Sequence, residues 1–207
     1  MSLLPIFVKL AGRQCLLVGA GEVALQKIPG LMAAEARVRV VAPRIRPEFE
    51  PLVSENRIEL IRREFTASDL DQTFLVIAAT DDPSVNAAVY RAAVERNILC
   101  NSVDDPPHCD FYFGSVVGRG DLQIAISTSG ESPAFAKRLR QEIDEQLPDD
   151  LGPWLHNLGQ LRRDVLAAYP AGDQRKLLLH KLAQREVCDS RDCPERKLAF
   201  QRNEVCA

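Results

Sequence analysis

Gln14-Cys15-Leu16-Leu17-Val18-Gly19-Ala20-Gly21-Glu22-Val23-Ala24 decides how the rest of the chain is read. A short apolar run enters a glycine turn, and a helical pattern begins straight after it. This is the Gly-x-Gly-x-x-Ala form of the dinucleotide-binding fingerprint. Gly19 lets the chain turn sharply off the strand, and Gly21 leaves no side chain between the backbone and a pyrophosphate. Ala24 keeps the helix close to the sheet. The helix starting near Glu22 points its unpaired N–H groups and the positive end of its dipole at the phosphates. Three small residues alone are a weak signal. Set between an apolar strand and a helix, with a second strand to follow, they are a much stronger one. A strand–turn–helix without a ligand is the competing reading.

Working outward, Gln14–Val18 is expected as the first strand and 22–34 as a helix. Pro29 inside that helix removes a hydrogen bond and clashes with the preceding turn, so a kink or an early break is expected there. Arg37-Val38-Arg39-Val40-Val41-Ala42 alternates and ends at Pro43, which reads as a second strand. The fingerprint places an acid at the end of that strand to grip the ribose, and here Ala42-Pro43-Arg44-Ile45-Arg46 stands instead. Two arginines there suggest a 2′-phosphate, and hence NADP. A third strand is read at 58–61, and the apolar run 74–79 suits a strand covered on both faces. It empties into Thr80-Asp81-Asp82-Pro83-Ser84, where Asp82 is a good N-cap and Pro83 a good first helical residue, for a helix to about Arg96. A further strand follows at 98–103. Strands alternating with helices imply a parallel sheet with helices on both faces and right-handed crossovers. Ligands of such sheets bind beyond the carboxyl ends of the strands. Gly19, Gly21, Pro43, Thr80, Asp81 and the 103–105 segment all fall at such ends.

After Asp104 the pattern changes. Runs at 111–117 and 122–127, joined by Gly118-Arg119-Gly120-Asp121, read as an antiparallel hairpin. Ser132 and Pro133 start a helix expected to bury Phe135, Leu139, Ile143 and Leu147. From Leu151 the chain reads as two or three helices. The expected fold is a Rossmann-like doubly wound parallel sheet over 1–113, a dimerisation hairpin and helix over 114–147, and a small helical domain over 148–207. An apolar hairpin with unpaired edges is covered by pairing with a second subunit, so a homodimer is expected.

With 26 basic and 29 acidic residues the formal charge is -3, which gives no global field for nucleic acid. No apolar run is long enough to span a membrane and the start lacks a basic leader, so a cytoplasmic protein is expected. Of the six cysteines, Cys15 and Cys100 fall in apolar strands and read as core thiols. Cys109 sits in a polar loop. Cys188 and Cys193 have a ligand-like spacing without further ligands nearby, and with Cys206 they read as free thiols of the tail. No residue is assigned as a metal ligand.

Five blocks in register carry a resemblance: Leu4-Pro5-Ile6-Phe7, the 18–24 turn, Ile77-Ala78-Ala79-Thr80-Asp81-Asp82, Cys100-Asn101-Ser102-Val103-Asp104-Asp105 and Ser127-Thr128-Ser129-Gly130-Glu131-Ser132-Pro133-Ala134. Together they resemble the precorrin-2 dehydrogenase / sirohydrochlorin ferrochelatase family, the N-terminal module of siroheme synthase, over roughly the first 150 residues. The methyltransferase module of some siroheme synthases is not expected in this chain. The resemblance implies NAD-dependent oxidation of precorrin-2 to sirohydrochlorin, and in many members insertion of ferrous ion to give siroheme. It implies cofactor contacts at Glu22, Val23, Pro43 and Arg44, which favours NAD over the NADP suggested by the arginines. Asp104 matches the aspartate assigned to catalysis. Thr128 falls where some relatives carry a serine that can be phosphorylated.

The residues support that chemistry on their own terms. Oxidising a reduced polycarboxylate macrocycle needs a hydride acceptor and a carboxylate for the accompanying proton. Asp104 lies past a strand end, where a nicotinamide would lie. The competing reading makes Asp-Asp-Pro a plain turn, and Asp105 fits that role better. His108 reads as a solvent-facing loop residue, with contact to ferrous ion as the alternative. Arg119, Lys137, Arg138 and Arg140 could hold substrate carboxylates or simply be solvated. The rival from another class is a non-catalytic NAD-sensing dimer; within the enzymes, it is a dehydrogenase without chelatase activity.

Overall fold

A computed structural model describes residues 3–184. The chain divides into two compact units, Leu3–Phe113 and one beginning at Gly114.

The first unit is a five-stranded parallel sheet. Its strands are β1 (Gln14–Val18), β2 (Arg37–Val41), β3 (Glu59–Ile61), β4 (Thr73–Ala78) and β5 (Leu99–Ser102), in the spatial order β3-β2-β1-β4-β5. The chain steps from β1 outward to β3, then returns to the other side of β1 with β4. That reversal opens a crevice at the carboxyl ends of β1 and β4. Alternate residues of β1 feed two cores. Cys15 and Leu17 pack with Ala24, Ile28 and Leu31 of helix α1 (Glu22–Ala33), while Leu16 and Val18 pack with Val89 and Ala93 of helix α3 (Pro83–Val94). Because both faces of β1 and β4 are covered, both strands are near-continuous apolar runs. β2 keeps its alternation, and its Arg39 pairs with Glu59 of β3 at 2.8 Å. A short helix α2 (Glu50–Ser54) links β2 to β3.

The expected break at Pro29 does not occur, for α1 runs through it to Ala33. Pro29 is exposed, so the helix carries it without having to pack its ring against the sheet. Asp82 caps α3 as expected, accepting from the Ser84 amide at 2.8 Å, with Pro83 in the first turn. Cys15 and Cys100 are fully buried, and burial pushes their thiols up to about 11 and about 12. They are inert core groups.

The second unit contains the antiparallel pair β6 (Ser115–Arg119) and β7 (Leu122–Ile126), then helices α4 (Pro133–Gln146), α5 (Leu151–Ala168) and α6 (Asp173–Leu182). The hairpin differs from expectation at both ends. Residues 111–114 are not strand. Asn101 donates to the Phe111 carbonyl at 2.8 Å and Asp110 accepts the Cys100 amide at 2.9 Å, so this segment is pinned back onto β5. The turn is also tighter, because Arg119 pairs with Leu122 across Gly120-Asp121, with Gly120 at φ 58°. Ser132 caps α4 through the Phe135 amide at 3.2 Å. The expected apolar stripe of α4 is not buried within the chain: Leu139, Ile143 and Leu147 are half-buried, and Phe135 is 47% exposed. Cys188, Cys193 and Cys206 lie outside the described residues.

Candidate functional site

The carboxyl ends of β1, β2 and β4 enclose a cleft of about 770 Å³. The β1 turn contributes Gly19, Ala20 and Gly21. Gly19 has φ +102°, and a Cβ there would stand 2.4 Å from the Ala79 carbonyl oxygen, so only glycine fits beside β4. Gly21 is different. It is the N-cap of α1 at φ -85°, and a Cβ there meets nothing within 4 Å, leaving open space over the helix N-terminus. Neither the N-cap nor the first turn is capped by a side chain, so its amides remain available to an anion.

Of the expected cofactor residues, Gly19, Gly21, Pro43, Arg44, Thr80 and Asp81 line the cleft. Glu22, Val23 and Ala24 do not. Ala24 is fully buried against the sheet, Val23 is partly exposed, and the Glu22 carboxylate lies 3.9 Å from the Arg46 guanidinium. Thr80 is fixed by Asn86, whose side chain accepts from the Thr80 hydroxyl at 2.7 Å and amide at 3.2 Å and donates to its carbonyl at 3.1 Å. The two arginines after β2 differ. Arg46 is held by Glu48 at 2.7 Å, a hydrogen-bonded pair that raises its pKa, while Arg44 makes no ion pair among the described residues. Sequence reading missed Glu64 and Phe65, which enter the cleft from beyond β3, and Val85 and Ala88 of α3. The rule that ligands sit at strand carboxyl ends, applied to β3 as well, would have found the first two.

Asp104 follows β5 at the same edge of the sheet but is not among the cleft-lining residues. It is exposed, in the left-handed region at φ 60°, where aspartate is one of the few tolerated side chains. Its neighbour in charge is Lys27 of α1, absent from the sequence reading. Partial burial pushes the Lys27 pKa down and the Asp104 carboxylate pulls it back up. The Lys27 ammonium sits 4.4 Å from the centre of the Phe113 ring, and Phe113 meets Phe111 edge-on at 5.5 Å. Against expectation it is Asp104 that sits in the turn, which the Asp105 amide closes by donating to the Ser102 carbonyl at 3.2 Å, while the Asp105 carboxylate binds His108 Nδ1 at 2.6 Å. His108 is therefore only partly solvent-facing, with its ring 4.6 Å from that of Tyr90. Cys109 donates to the Ser102 carbonyl at 3.0 Å.

In the second unit, Arg119 is committed internally. It binds the Asp144 carboxylate at 2.6 Å and the carbonyls of Asp144 and Leu147 at 2.8 and 3.3 Å, closing the C-terminus of α4. Arg138 pairs with Glu142 and Arg140 with Asp144 along the same helix. Thr128 accepts the Ser132 amide at 3.2 Å.

Residues 6–115 match the family described as putative NAD(P)-binding, and residues 119–146 match the sirohaem biosynthesis protein central family. The chain is 40% identical over 181 residues to siroheme synthase 1 of Serratia proteamaculans, covering 87% of this chain and 38% of that protein. It is 45% identical over 165 residues to siroheme synthase 1 of Yersinia enterocolitica, covering 80% and 35%. The chain thus spans little more than a third of the length of these relatives. The solved structure of SirC, described as a precorrin-2 dehydrogenase, superposes with a TM-score of 0.80 at 23% identity, covering 98% of this chain and 100% of that one, so the fold is shared. With just over half of the chain inside its model, the chain belongs to the family described as putative NAD(P)-binding, and the sirohaem biosynthesis segment that follows is the order of modules expected of the N-terminal part of a siroheme synthase.

Proposed function

We propose that this chain acts in siroheme biosynthesis as an NAD-dependent precorrin-2 dehydrogenase. It then takes ferrous ion as a further substrate and inserts it into sirohydrochlorin. One observation carries the reading: the dinucleotide cleft and Asp104 occupy the same carboxyl edge of one parallel sheet. The names of the relatives and of the superposed structure support the pathway.

The cleft residues fit a nicotinamide dinucleotide, because Gly21 leaves open space where a pyrophosphate would meet the first-turn amides of α1. When bound, the nicotinamide supplies the hydride acceptor. The protein's own groups do the rest. The α1 amides would hold the pyrophosphate and Thr80 would shape the floor beside it, while the Asp104 carboxylate would take the proton released as precorrin-2 is oxidised. Lys27, beside Asp104, attracts the carboxylates of the macrocycle. In the second reaction two pyrrole protons leave as ferrous ion enters, and the same carboxylate, once it has given its first proton to solvent, passes them to water one at a time. The protein works as a cytoplasmic homodimer, with a second subunit covering the apolar surface of the hairpin and α4.

The test is an anaerobic incubation of the purified chain with precorrin-2 and NAD. Sirohydrochlorin and NADH should appear in equal amounts, and added ferrous ion should then give the visible spectrum of siroheme. Tight NAD binding without turnover would instead identify a sensor.

A further inference from the structure

We infer that Glu64 replaces the acid missing from the end of β2 and makes the cleft select NAD over NADP. The inference rests on the nicotinamide-cofactor reading above and concerns a residue which that reading does not use.

β2 and β3 are parallel neighbours, with Val41 opposite Ile61 and the Ala42 amide bonded to the Ile61 carbonyl at 3.2 Å. The segments leaving these two strands therefore emerge side by side. Pro43, Arg44 and Ile45 from one, and Glu64 and Phe65 from the other, line the same cleft. In a dinucleotide fold this is the side that receives the adenosine ribose.

The charges nearby are mostly spoken for. Arg46 is bound by Glu48 at 2.7 Å and approached by Glu22 at 3.9 Å, Arg62 is bound by Glu50 at 2.7 Å, and Arg63 by Asp69 at 2.8 Å. Asp82 is occupied with the Ser84 amide and hydroxyl at 2.8 and 2.6 Å. Among the described residues, the cleft-lining charged side chains left without an ion pair or hydrogen bond are Arg44, Glu64 and Asp81. Asp81 follows β4, on the far side of β1 from β2, so the free acid on the β2 side is Glu64. Its backbone is fixed: the Glu64 carbonyl accepts from Arg63 Nη1 at 2.8 Å, and Arg63 is anchored on the buried Asp69.

The chemistry follows from the donor set. A ribose diol presents two O–H donors, which a carboxylate accepts. A 2′-phosphate removes one donor and brings negative charge against the same carboxylate. Arg44 alone would favour that phosphate; Glu64 in the same wall opposes it. A glutamate supplied from the segment that follows β3 thus performs the office usually held at the end of β2.

The experiment is calorimetric titration of NAD and NADP into the full chain, in parallel for wild type, Glu64→Gln and Glu64→Asp. Wild type should bind NAD more tightly. Glu64→Gln should weaken NAD about tenfold, as expected for losing a charged hydrogen bond, and leave NADP equal or tighter, so that the preference falls by at least about tenfold. Glu64→Asp should retain part of it. A Glu64→Gln ratio equal to that of wild type, or a wild type that prefers NADP, overturns the inference and leaves the dinucleotide reading standing. A wild type that binds neither nucleotide removes both.

Discussion

Gly19 and Gly21 sit two residues apart and fail in opposite ways when enlarged. At Gly19 a methyl group would press on the Ala79 backbone, and the left-handed φ would strain it further. Gly19→Ala should cost about 2–4 kcal/mol in denaturant unfolding. At Gly21 the backbone is ordinary and the space is open, so Gly21→Ala should unfold like wild type yet bind NAD at least about tenfold more weakly. Equal losses of stability in the two variants would contradict this division. Both glycines were legible in the sequence, because the fingerprint assigns each a separate reason. Arg44 and Arg46 were not separable there. Only the placement of Glu48 and Glu22 shows that Arg46 is engaged while Arg44 has no ion pair among the described residues. Lys27 was invisible for a similar reason: nothing in its helical neighbours announces that it reaches the Phe113 ring.

The strands of the sheet and its long helices α1 and α3 were legible to within a few residues, since continuous apolar runs and the Asp82-Pro83 cap each have one physical explanation, whereas the short α2 was not read at all. The turn after β3 was not. There Thr66 and Asp69 form a reciprocal cap of a short 3-10 turn, and Asp69 also binds Arg63. Burial alone would raise the Asp69 pKa, but Arg63 and the Thr66 amide outweigh it and hold the carboxyl below its ordinary value. A depressed carboxylate contributes stability above its unfolded pKa and loses it as pH falls through the folded one. Asp69→Asn should therefore cost about 2 kcal/mol at neutral pH, and the gap from wild type should close on acidification below the usual carboxylate range. A gap independent of pH would show that the pair does not hold this turn, which carries Glu64 to the cleft. The extended hairpin also failed at this scale, because Asn101 and Asp110 capture the 109–113 segment before it can pair.

At the scale of the molecule, the second unit leaves apolar groups in water. Val116 is 49% exposed on the outer face of a hairpin that has only two strands, and Phe135 of α4 is 47% exposed. Two strands with open edges are marginal by themselves. We expect sedimentation equilibrium to give a dimer, and Val116→Lys with Phe135→Asp to shift it to monomer; a monomeric wild type would refute the dimer. Among the described residues no helix is long and apolar enough to cross a membrane. The doubly wound fold could be read from the order of strands and helices alone, whereas the half-buried stripe of α4 could not, because its spacing does not say whether this chain or a second one covers it. On the proposed function the cleft and Asp104, at one edge of the sheet, serve one reaction. The rate of NADH formation from precorrin-2 by wild type and Asp104→Ala, with NAD affinity determined in parallel, decides whether they do. Wild type should turn over, and the variant should lose at least about a hundredfold in kcat with NAD binding nearly unchanged. An Asp104→Ala variant that oxidises precorrin-2 at the wild-type rate would contradict the account.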